Sequence, residues 1–373
     1  MAHYFVFADK DATLERGADV EGTASAKNTG MDEILEIGKV FKTDSNVAIG
    51  STSRTVISFP TTVISQSVAD GTFPAGTSYY LNLYDAGSVN LNRDQTLYAY
   101  TISQSWSEGD GKKSDLPNTT NGVSWRYRTE VTSSEWNASA IHWGATYFSG
   151  SLDTASQSFN KDESVDMRMD VTSIVNNWVS GGIDNEGFLI KRSDGDESNL
   201  EKFGMFKFFS SDTHTVFRPK LEVVWDDSVW TTGSLSALTS DNLDKLAVYM
   251  ENFRPEYKLG SLSKIRVKGR EQFPGKTFAT SSVYRDVKYM PSASSCYSIV
   301  DSKTADTIVP FGSGSKLSCD TSGNYFTLRT QGLEPERFYR ILFRVETGSG
   351  INKIVNFYII INSVTTPCGN VVL

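Results

Sequence analysis

Tyr79-Tyr-Leu-Asn-Leu-Tyr84 contains the pattern that decides the fold class of this chain. Leu81 and Leu83 alternate with polar and aromatic side chains, and a repeat of two residues is typical of a β-strand with one buried face. Comparable segments, separated by clusters of turn-forming residues, recur throughout the sequence. They are residues 55–59, 97–102, 187–190, 203–209, 220–225, 263–268, 297–300, 307–309, 324–328, 338–345 and 354–361. The sequence therefore predicts an all-β protein.

Residues 170–182 break this pattern because their apolar side chains have helical spacing. These side chains stand at positions i, i+1, i+4 and i+5, and they are Ile174, Val175, Trp178 and Val179. Asp170 or Thr172 can cap the first turn, and a pair of glycines can end the last one. We expect a short helix across an open end of a β-sandwich, with Ile174 and Trp178 as its structural anchors.

The composition changes near residue 226 and indicates two domains, which a length of 373 residues accommodates. Residues 226–236 are small and polar, as in a linker. After them, Leu246, Val248 and Met250 alternate like a strand, although the same stretch also fits a helix. We predict a strand, because residues 252–255 then form a turn. The expected organisation is a large β-sandwich over 1–226, a linker over 227–240, and an all-antiparallel, immunoglobulin-like β-sandwich over 241–373.

The charge and the N-terminus restrict the partners and the location. The formal net charge is −8 and the pI is about 5.1. Such an acidic surface repels phosphates, so we expect no direct nucleic acid partner. No stretch approaches the ~20 apolar residues of a membrane span, and residues 1–9 lack the features of a signal peptide. We expect a protein that stays in the cytoplasm or leaves it as part of a particle.

The sequence contains no catalytic motif. The three histidines His3, His142 and His214 are isolated, and no metal-binding spacing, nucleophile elbow or phosphate-binding loop occurs. We therefore predict that the chain is not an enzyme and has no cofactor. Paired acids for glycoside hydrolysis can come from distant positions, and none is singled out. Calcium stays open at acidic segments that lack a full motif, namely Asp9 with Asp11, residues 194–197, and Asp226 with Asp227.

The cysteines, Cys296, Cys319 and Cys368, are too few for a disulfide framework. We interpret them as small buried thiols. A bond between Cys296 and Cys319 stays open, if two strands place these residues side by side.

Four tryptophans fall in the loop-rich stretch 103–150: Trp106, Trp125, Trp136 and Trp143. Exposed rings on the loops of a sandwich stack on sugars, whereas buried rings fill a core. The sequence leaves both interpretations open. The four rings are therefore candidate contacts for a glycan.

A series of motifs follows a fixed order in the first 226 residues. They are Ala8-Asp-Lys-Asp-Ala-Thr13, Arg54-Thr-Val-Ile-Ser-Phe59, Phe73-Pro-Ala-Gly76, Ser105-Trp-Ser-Glu108, Gly122-Val-Ser-Trp125, Met169-Asp-Val-Thr-Ser-Ile-Val-Asn-Asn-Trp178, Asp184-Asn-Glu-Gly-Phe-Leu-Ile190 and Arg218-Pro-Lys-Leu-Glu-Val-Val-Trp225. In this order, residues 3–226 resemble the DNRLRE-type sandwich family. The resemblance implies a jelly-roll-like sandwich, as found in secreted bacterial proteins, polysaccharide-binding modules and phage particles. The loop at Trp106 is longer and more charged than the family pattern, and the N-terminus disfavours the secreted versions.

A second set of motifs occupies residues 242–373. They are Lys264-Ile-Arg-Val-Lys268, Cys296-Tyr-Ser-Ile-Val-Asp301, Lys316-Leu-Ser-Cys-Asp320, Gly323-Asn-Tyr-Phe326 and Gly332-Leu-Glu-Pro-Glu-Arg-Phe-Tyr-Arg340. Together with Asp32-Glu-Ile-Leu-Glu-Ile37, they resemble virion structural proteins of T-even-related phages of cyanobacteria and other marine bacteria. The resemblance implies a non-enzymatic component of a tailed phage virion, in the neck or collar, tail, baseplate or capsid surface. Its partners would be other phage structural proteins, with the chain an oligomer in the particle. The alternative is a carbohydrate-binding module on a host-facing fibre.

The last residues are the predicted region of assembly contact. Residues 354–361 are apolar on both faces, so we expect a central strand, or an outer strand covered by another subunit. The segment 365–373 ends in three apolar residues, which gain by docking on a neighbour or by folding back on their own domain. The candidate assembly contacts are Ile359, Ile361, Val371, Val372 and Leu373.

Overall fold

The computed structural model describes residues 2–16, 26–44, 47–129, 134–137, 143–199, 201–238, 246–272, 287–292, 295–346 and 352–362. β-Strands dominate these ranges, and their α-helices are α1 (Thr61–Ala69), α2 (Thr172–Val179) and α3 (Asp194–Ser198). The predicted all-β fold class is confirmed. The chain divides into two compact units. The N-terminal unit is Phe5–Val223, and the C-terminal unit is Val224–Leu373 together with Met1–Tyr4.

The strands of the first part of the chain form two sheets. They are β1 (His3–Phe7), β2 (Lys10–Glu15), β3 (Ile34–Asp44), β4 (Val47–Ser58), β5 (Ser78–Leu83), β6 (Gln95–Thr101), β7 (Thr154–Phe159), β8 (Met167–Asp170), β9 (Phe188–Lys191), β10 (Gly204–Phe209) and β11 (Lys220–Val224). The four-stranded sheet has the order β1-β11-β5-β8. The seven-stranded sheet has the order β10-β3-β4-β9-β6-β7, and β2 pairs with the second half of β4.

Alternating burial explains how these two sheets enclose a core. Leu81 and Leu83 of β5 are fully buried, and so are Leu97 and Ala99 of β6. The intervening Tyr98 and Tyr100 are only half-buried, because successive side chains of a strand point to opposite faces. Strand β7 of the larger sheet also lies beside β8 of the smaller one. The result is a β-sandwich-like arrangement.

The predicted helix is α2. It begins at Thr172, whose backbone N–H donates to the Asp170 carboxylate (3.0 Å), so Asp170 satisfies a donor of the first turn. It ends before Gly181, which adopts a positive φ of 74° that favours glycine. Ile174 and Val175 are fully buried, and the Trp178 ring lies 4.6 Å from that of Phe188 in β9.

The C-terminal unit contains a second pair of sheets. Their strands are β12 (Leu246–Glu251), β13 (Glu256–Lys258), β14 (Leu262–Glu271), β15 (Ser295–Asp301), β16 (Thr307–Val309), β17 (Ser318–Asp320), β18 (Gly323–Arg329), β19 (Arg337–Glu346) and β20 (Asn352–Asn362). The sheet orders are β12-β14-β18-β17 and β13-β20-β19-β15-β16. The interpretation of residues 246–251 as a strand is therefore confirmed.

Aromatic rings join the two sheets of the C-terminal unit. Phe326 of β18 lies 4.6 Å from Tyr297 of β15 and 5.6 Å from Phe343 of β19. Phe343 in turn contacts Phe357 of β20 at 5.7 Å. These contacts form the centre of the core, as in a β-sandwich. The expectation of an all-antiparallel sandwich is wrong at β13, which pairs with β20 in parallel.

Candidate functional site

Strand β20 is internal to its sheet, and this corrects part of the predicted assembly region. Ile359 and Ile361 are buried in the core of their own unit, so they are not available to another chain. The physical reason is the pleat, which directs alternate residues of β20 inward and leaves the intervening ones outside. Val371, Val372 and Leu373 lie outside the described residues.

The outward residues of β19 and β20 form the strongest candidate surface. Phe338 pairs with Ile360 across the two strands, and Arg340 pairs with Tyr358. The exposed fraction is 60% for Phe338 and 57% for Tyr358, whereas Arg340 and Ile360 are half-buried. We call the outward residues Phe338, Arg340, Leu342, Arg344, Tyr358 and Ile360 the aromatic–arginine face.

An open groove of about 690 Å³ lies at one end of the aromatic–arginine face. The atoms exposed in it are mostly apolar, although several of the residues are polar or charged. The lining residues are Ser302, Lys303, Glu336, Arg337, Phe338 and Tyr358. Arg337 is engaged within the unit, since its Nε donates to the Asp301 carboxylate (2.6 Å). Burial opposes ionisation of Asp301, but this bond and two backbone N–H donors outweigh burial and lower its pKa. Lys303 is exposed.

A second surface lies at the start of β3 in the N-terminal unit. Met31 and Ile34 are 38% and 36% exposed, and they flank two acidic residues, Asp32 and Glu33. We call residues 31–36 the acidic ridge. A depression of about 270 Å³ beside it is lined by Met31, Asp32, Glu33, Ile34, Glu36, Lys112 and Lys113. Lys113 forms ion pairs with Glu15 and Glu36, so its charge is compensated within the unit.

The two units differ strongly in charge. Residues 5–223 contain 19 Lys and Arg and 30 Asp and Glu, which gives a formal net charge of −11. Residues 224–373 contain 17 Lys and Arg and 14 Asp and Glu, which gives +3. The two surfaces have the same signs of charge as their units: the ridge of the N-terminal unit is acidic, and the aromatic–arginine face of the C-terminal unit carries two arginines.

Three of the four candidate glycan-stacking tryptophans are buried, which corrects that prediction. Trp106, Trp125 and Trp136 belong to an apolar cluster with Ala12, Leu14, Val56 and Leu189, on strands of the larger sheet. The loop that follows β6 folds onto this sheet and encloses the rings. The indole N–H groups of Trp106 and Trp136 donate to backbone carbonyls of the same unit, at 2.8 and 3.1 Å. Their faces are therefore closed to a sugar.

Trp143 also fails to offer a free ring. It is half-buried against the same cluster, and the guanidinium of Arg126 lies 4.5 Å from its ring centroid. An arginine in this position occupies the face that a sugar would use.

The structure instead brings three tyrosines together. The rings of Tyr98 and Tyr100 are 6.1 Å apart and nearly parallel, and Tyr147 lies 4.6 Å from Tyr100. Beside them, the hydroxyls of Thr96 and Ser158 are 3.0 Å apart. We call this set the tyrosine row. The alternation of tyrosines in 97–102 was the signal that could have identified it in the sequence.

The acidic segments considered for calcium contact groups of the chain itself. Glu197 pairs with Arg54, Asp194 with Lys191, and Asp226 with Lys316. Asp11 accepts a hydrogen bond from the backbone N–H of Ser211 (2.7 Å). Across the described ranges, no group of three or more His, Cys, Asp or Glu side chains is arranged to hold a metal ion.

Cys296 and Cys319 are buried and not bonded to each other, and they lie in strands of different sheets. Cys368 and His142 lie outside the described residues. No helix in the described part of the chain is long and apolar enough to cross a membrane.

Comparisons with known proteins leave the family of this chain open. No family model and no curated protein matches it. Among solved structures, it is similar to a DUF4785 family protein from Legionella pneumophila at 7% sequence identity and a TM-score of 0.19. The match covers 97% of this chain and 62% of that protein, so the chain spans less than two thirds of its length. A TM-score this low carries no argument about fold or function.

Proposed function

We propose that this chain is a non-enzymatic structural component of a tailed phage virion and acts through protein–protein contacts. The observation that carries the proposal is the aromatic–arginine face, where Phe338 and Tyr358 are exposed beside Arg340. Tyrosine, phenylalanine and arginine are the residue types enriched at protein interfaces. The resemblance of residues 242–373 to virion structural proteins supplies the class of particle.

Docking of a partner on this face would be favourable. Two aromatic side chains of about 200 Å² each, a little more than half exposed, would contribute on the order of 5 kcal/mol when buried. Ordering and desolvation reduce that figure in the final affinity. The proposal covers the neck or collar, tail, baseplate and capsid surface, and the partners are other structural proteins of the particle.

The test measures how much of this chain is incorporated into phage particles. Particles assembled with a tagged wild-type chain, or with the Phe338→Ser, Tyr358→Ser double variant, are purified and their protein copy numbers measured by quantitative mass spectrometry. We expect a fixed copy number for the wild type and at least a tenfold loss for the variant. Leu262→Ser is the matched control, because Leu262 is 59% exposed on the other sheet of the same unit. A wild-type chain absent from purified particles would show the proposal to be wrong.

A second candidate function is binding of a host glycan, and the tyrosine row is the observation that favours it. Tyr98 offers a half-buried ring for stacking, whereas Tyr100 beside it already contacts Tyr147 and lies 5.7 Å from the Lys191 ammonium. The neighbouring Thr96 and Ser158 offer hydroxyls, so both kinds of contact that sugars use are present. Calorimetry against host surface polysaccharide should then show binding that Tyr98→Ala abolishes. Tyr249→Ala is the control, because Tyr249 is exposed on the C-terminal unit. No heat of binding with the wild type would exclude this candidate.

A further inference from the structure

We infer that this chain associates head to tail with a second copy of itself, so that the aromatic–arginine face of one copy docks on the acidic ridge of the next. The inference rests on the proposed function, since it names the partner of the same face. Its occupant is the N-terminal unit of another copy of this chain.

Charge complementarity is the first argument. The N-terminal unit carries −11 and the C-terminal unit +3, so unlike units attract and two N-terminal units repel each other. Arg340 is half-buried on the face, whereas the Nε of Arg337 donates to the Asp301 carboxylate within the unit. A carboxylate docked on this face would be attracted by the positive charge of Arg340.

The chemistry of the two surfaces is the second argument. On the face, two exposed aromatic residues neighbour Arg340: Phe338 stands two residues before it on β19, and Tyr358 stands opposite it on β20. On the ridge, the partly exposed Met31 and Ile34 flank two acidic residues in the sequence. Apolar groups beside opposite charges on the two surfaces permit apolar contact and ion pairing at the same time.

A contact between two identical surfaces is disfavoured by their charge. Around a two-fold axis, the face would meet a surface that also carries Arg340 and Arg344. The ridge would likewise meet a surface that also carries Asp32 and Glu33. Like charges in contact oppose binding, so the favourable arrangement is heterologous. Heterologous contacts generate rings or open chains, as repeated parts of a particle require.

The test uses the full chain in sedimentation velocity over a range of protein concentrations. We expect the weight-average mass of the wild type to rise with concentration and the association constant to fall at least tenfold between about 0.05 and 0.5 M salt, because salt screens exposed charges. Arg340→Glu and Glu33→Arg, tested singly, should each reduce the association constant at least tenfold. Leu262→Ser should leave it unchanged.

Mixing the two single variants makes the test specific. Arg340→Glu retains an intact ridge, and Glu33→Arg retains an intact face, so an equimolar mixture should recover association. In a symmetric contact only one of the two substitutions would fall in the interface, so the two single variants would not both lose association. Circular dichroism melts of each variant check that the fold is retained, as expected for exposed or half-buried positions.

The outcomes separate the inference from the proposed function. A wild-type chain that stays monomeric at low salt, or variants that associate like the wild type, would overturn the head-to-tail contact. If such a monomer still enters particles in a manner that depends on Phe338, the face binds another acidic protein and the proposed function stands. If the chain associates as inferred but is absent from particles, the proposed function is wrong and the contact stands.

Discussion

The carboxylate of Glu108 accepts a hydrogen bond of 2.7 Å from the backbone N–H of Asp11. The Asp11 carboxylate accepts another of 2.7 Å from the backbone N–H of Ser211. These bonds connect β2, the loop that carries Trp106, and the segment after β10. Burial raises the pKa of Asp11 to about 7, and the nearby charge of Glu108 adds to this effect.

The first prediction concerns pH. Below about pH 4, Asp11 is protonated in the folded and the unfolded chain and has no effect on their balance. Between about pH 4 and 7 only the unfolded chain loses this proton, so the free energy of unfolding falls as pH rises, by up to about 4 kcal/mol. Above about pH 7, Asp11 is ionised in both states, and the free energy of unfolding falls no further from this cause. We therefore expect Asp11→Asn to be more stable than the wild type at pH 8 and to lose this advantage near pH 4.

Urea denaturation of both proteins across this pH range measures the difference. Asp162→Asn is the control, because Asp162 is exposed and its substitution changes the net charge equally. A difference between Asp11→Asn and wild type that does not vary with pH would show that Asp11 is not buried as a carboxyl group.

The second prediction concerns Asn28, which fastens the Trp106 loop. Its amide donates to the carbonyls of Glu108 (2.6 Å) and Val123 (2.8 Å), and its oxygen accepts from the N–H of Gly111 (2.7 Å). Asn28→Ala leaves these buried groups without partners and should cost about 3 kcal/mol in the free energy of unfolding. The exposed Asn92→Ala should be neutral. If limited proteolysis of residues 103–125 were no faster in Asn28→Ala than in wild type, the amide would not hold the loop.

The third prediction uses a glycine in the same place. A Cβ atom on Gly122 would lie 2.4 Å from the Glu108 carbonyl oxygen and 2.5 Å from the Gly109 Cα. Both are backbone atoms that cannot yield without moving the loop. Gly122→Ala should therefore lower the melting temperature by several degrees, since a loss of about 1 kcal/mol in a large domain lowers it by about 2–4 °C. Gly195→Ala is the control, because a Cβ atom on Gly195 would have no neighbouring atom closer than 3.8 Å. Equal melting temperatures for the Gly122 and Gly195 variants would refute the prediction.

The fourth prediction concerns Trp178 in α2. Its ring packs on Phe188, so Trp178→Ala should cost about 3–5 kcal/mol. The indole Nε1 is buried without a hydrogen-bond partner among the described residues, so Trp178→Phe keeps the ring contact and loses no hydrogen bond seen there. We expect the Phe variant to retain more than half of the lost stability in chemical denaturation. A loss below about 1 kcal/mol for Trp178→Ala would mean that the ring contributes little to the core.

Local patterns account for what the sequence predicted correctly. The strands at 79–84 and 97–102 follow from a two-residue repeat, and α2 follows from its helical spacing. Helix α1 was missed, because Val63 and Ile64 follow Pro60 in a short polar segment with no clear apolar stripe. The parallel pairing of β13 with β20 was also beyond local patterns, since it joins residues about 100 positions apart.

Burial in loops could not be read from the sequence. Trp106 and Trp125 lie on irregular backbone, so no repeat indicates which way their rings point. They are buried by contacts with distant residues, such as Lys10 over Trp106 at 4.3 Å and Arg54 over Trp125 at 4.7 Å. In strand β19, by contrast, the repeat is present but does not show which face is buried. Large apolar side chains occur on both of its faces, so the repeat predicts the strand but leaves open that Phe338 lies outside.

Arg54 connects this buried cluster to α3 by an ion pair. Its Nε and Nη2 donate to the two carboxylate oxygens of Glu197, at 3.1 and 2.7 Å, and both side chains are only 10% exposed. Its Nη1 donates to the carbonyl of Gly144 (2.7 Å). The Lys191 ammonium, fully buried, lies 3.5 Å from the same carboxylate. Glu197 therefore compensates two buried cations.

The last prediction follows from that arrangement. Glu197→Gln leaves Arg54 facing a neutral amide, whereas Lys191 keeps its ion pair with Asp194. The uncompensated buried charge of Arg54 should cost about 3–5 kcal/mol. In a double-mutant cycle, Arg54→Met with Glu197→Gln should lose less than the sum of the single losses, with a coupling of about 2 kcal/mol. Arg126 and Glu135 form the control pair, because Nε and Nη2 of Arg126 also donate to the carboxylate, both to Oε1, at 2.9 and 2.7 Å, but the two side chains are 36% and 44% exposed. Their coupling should stay below about 1 kcal/mol. Equal coupling in the two pairs would mean that burial does not strengthen the Arg54 pair, and that α3 is held by its other contacts.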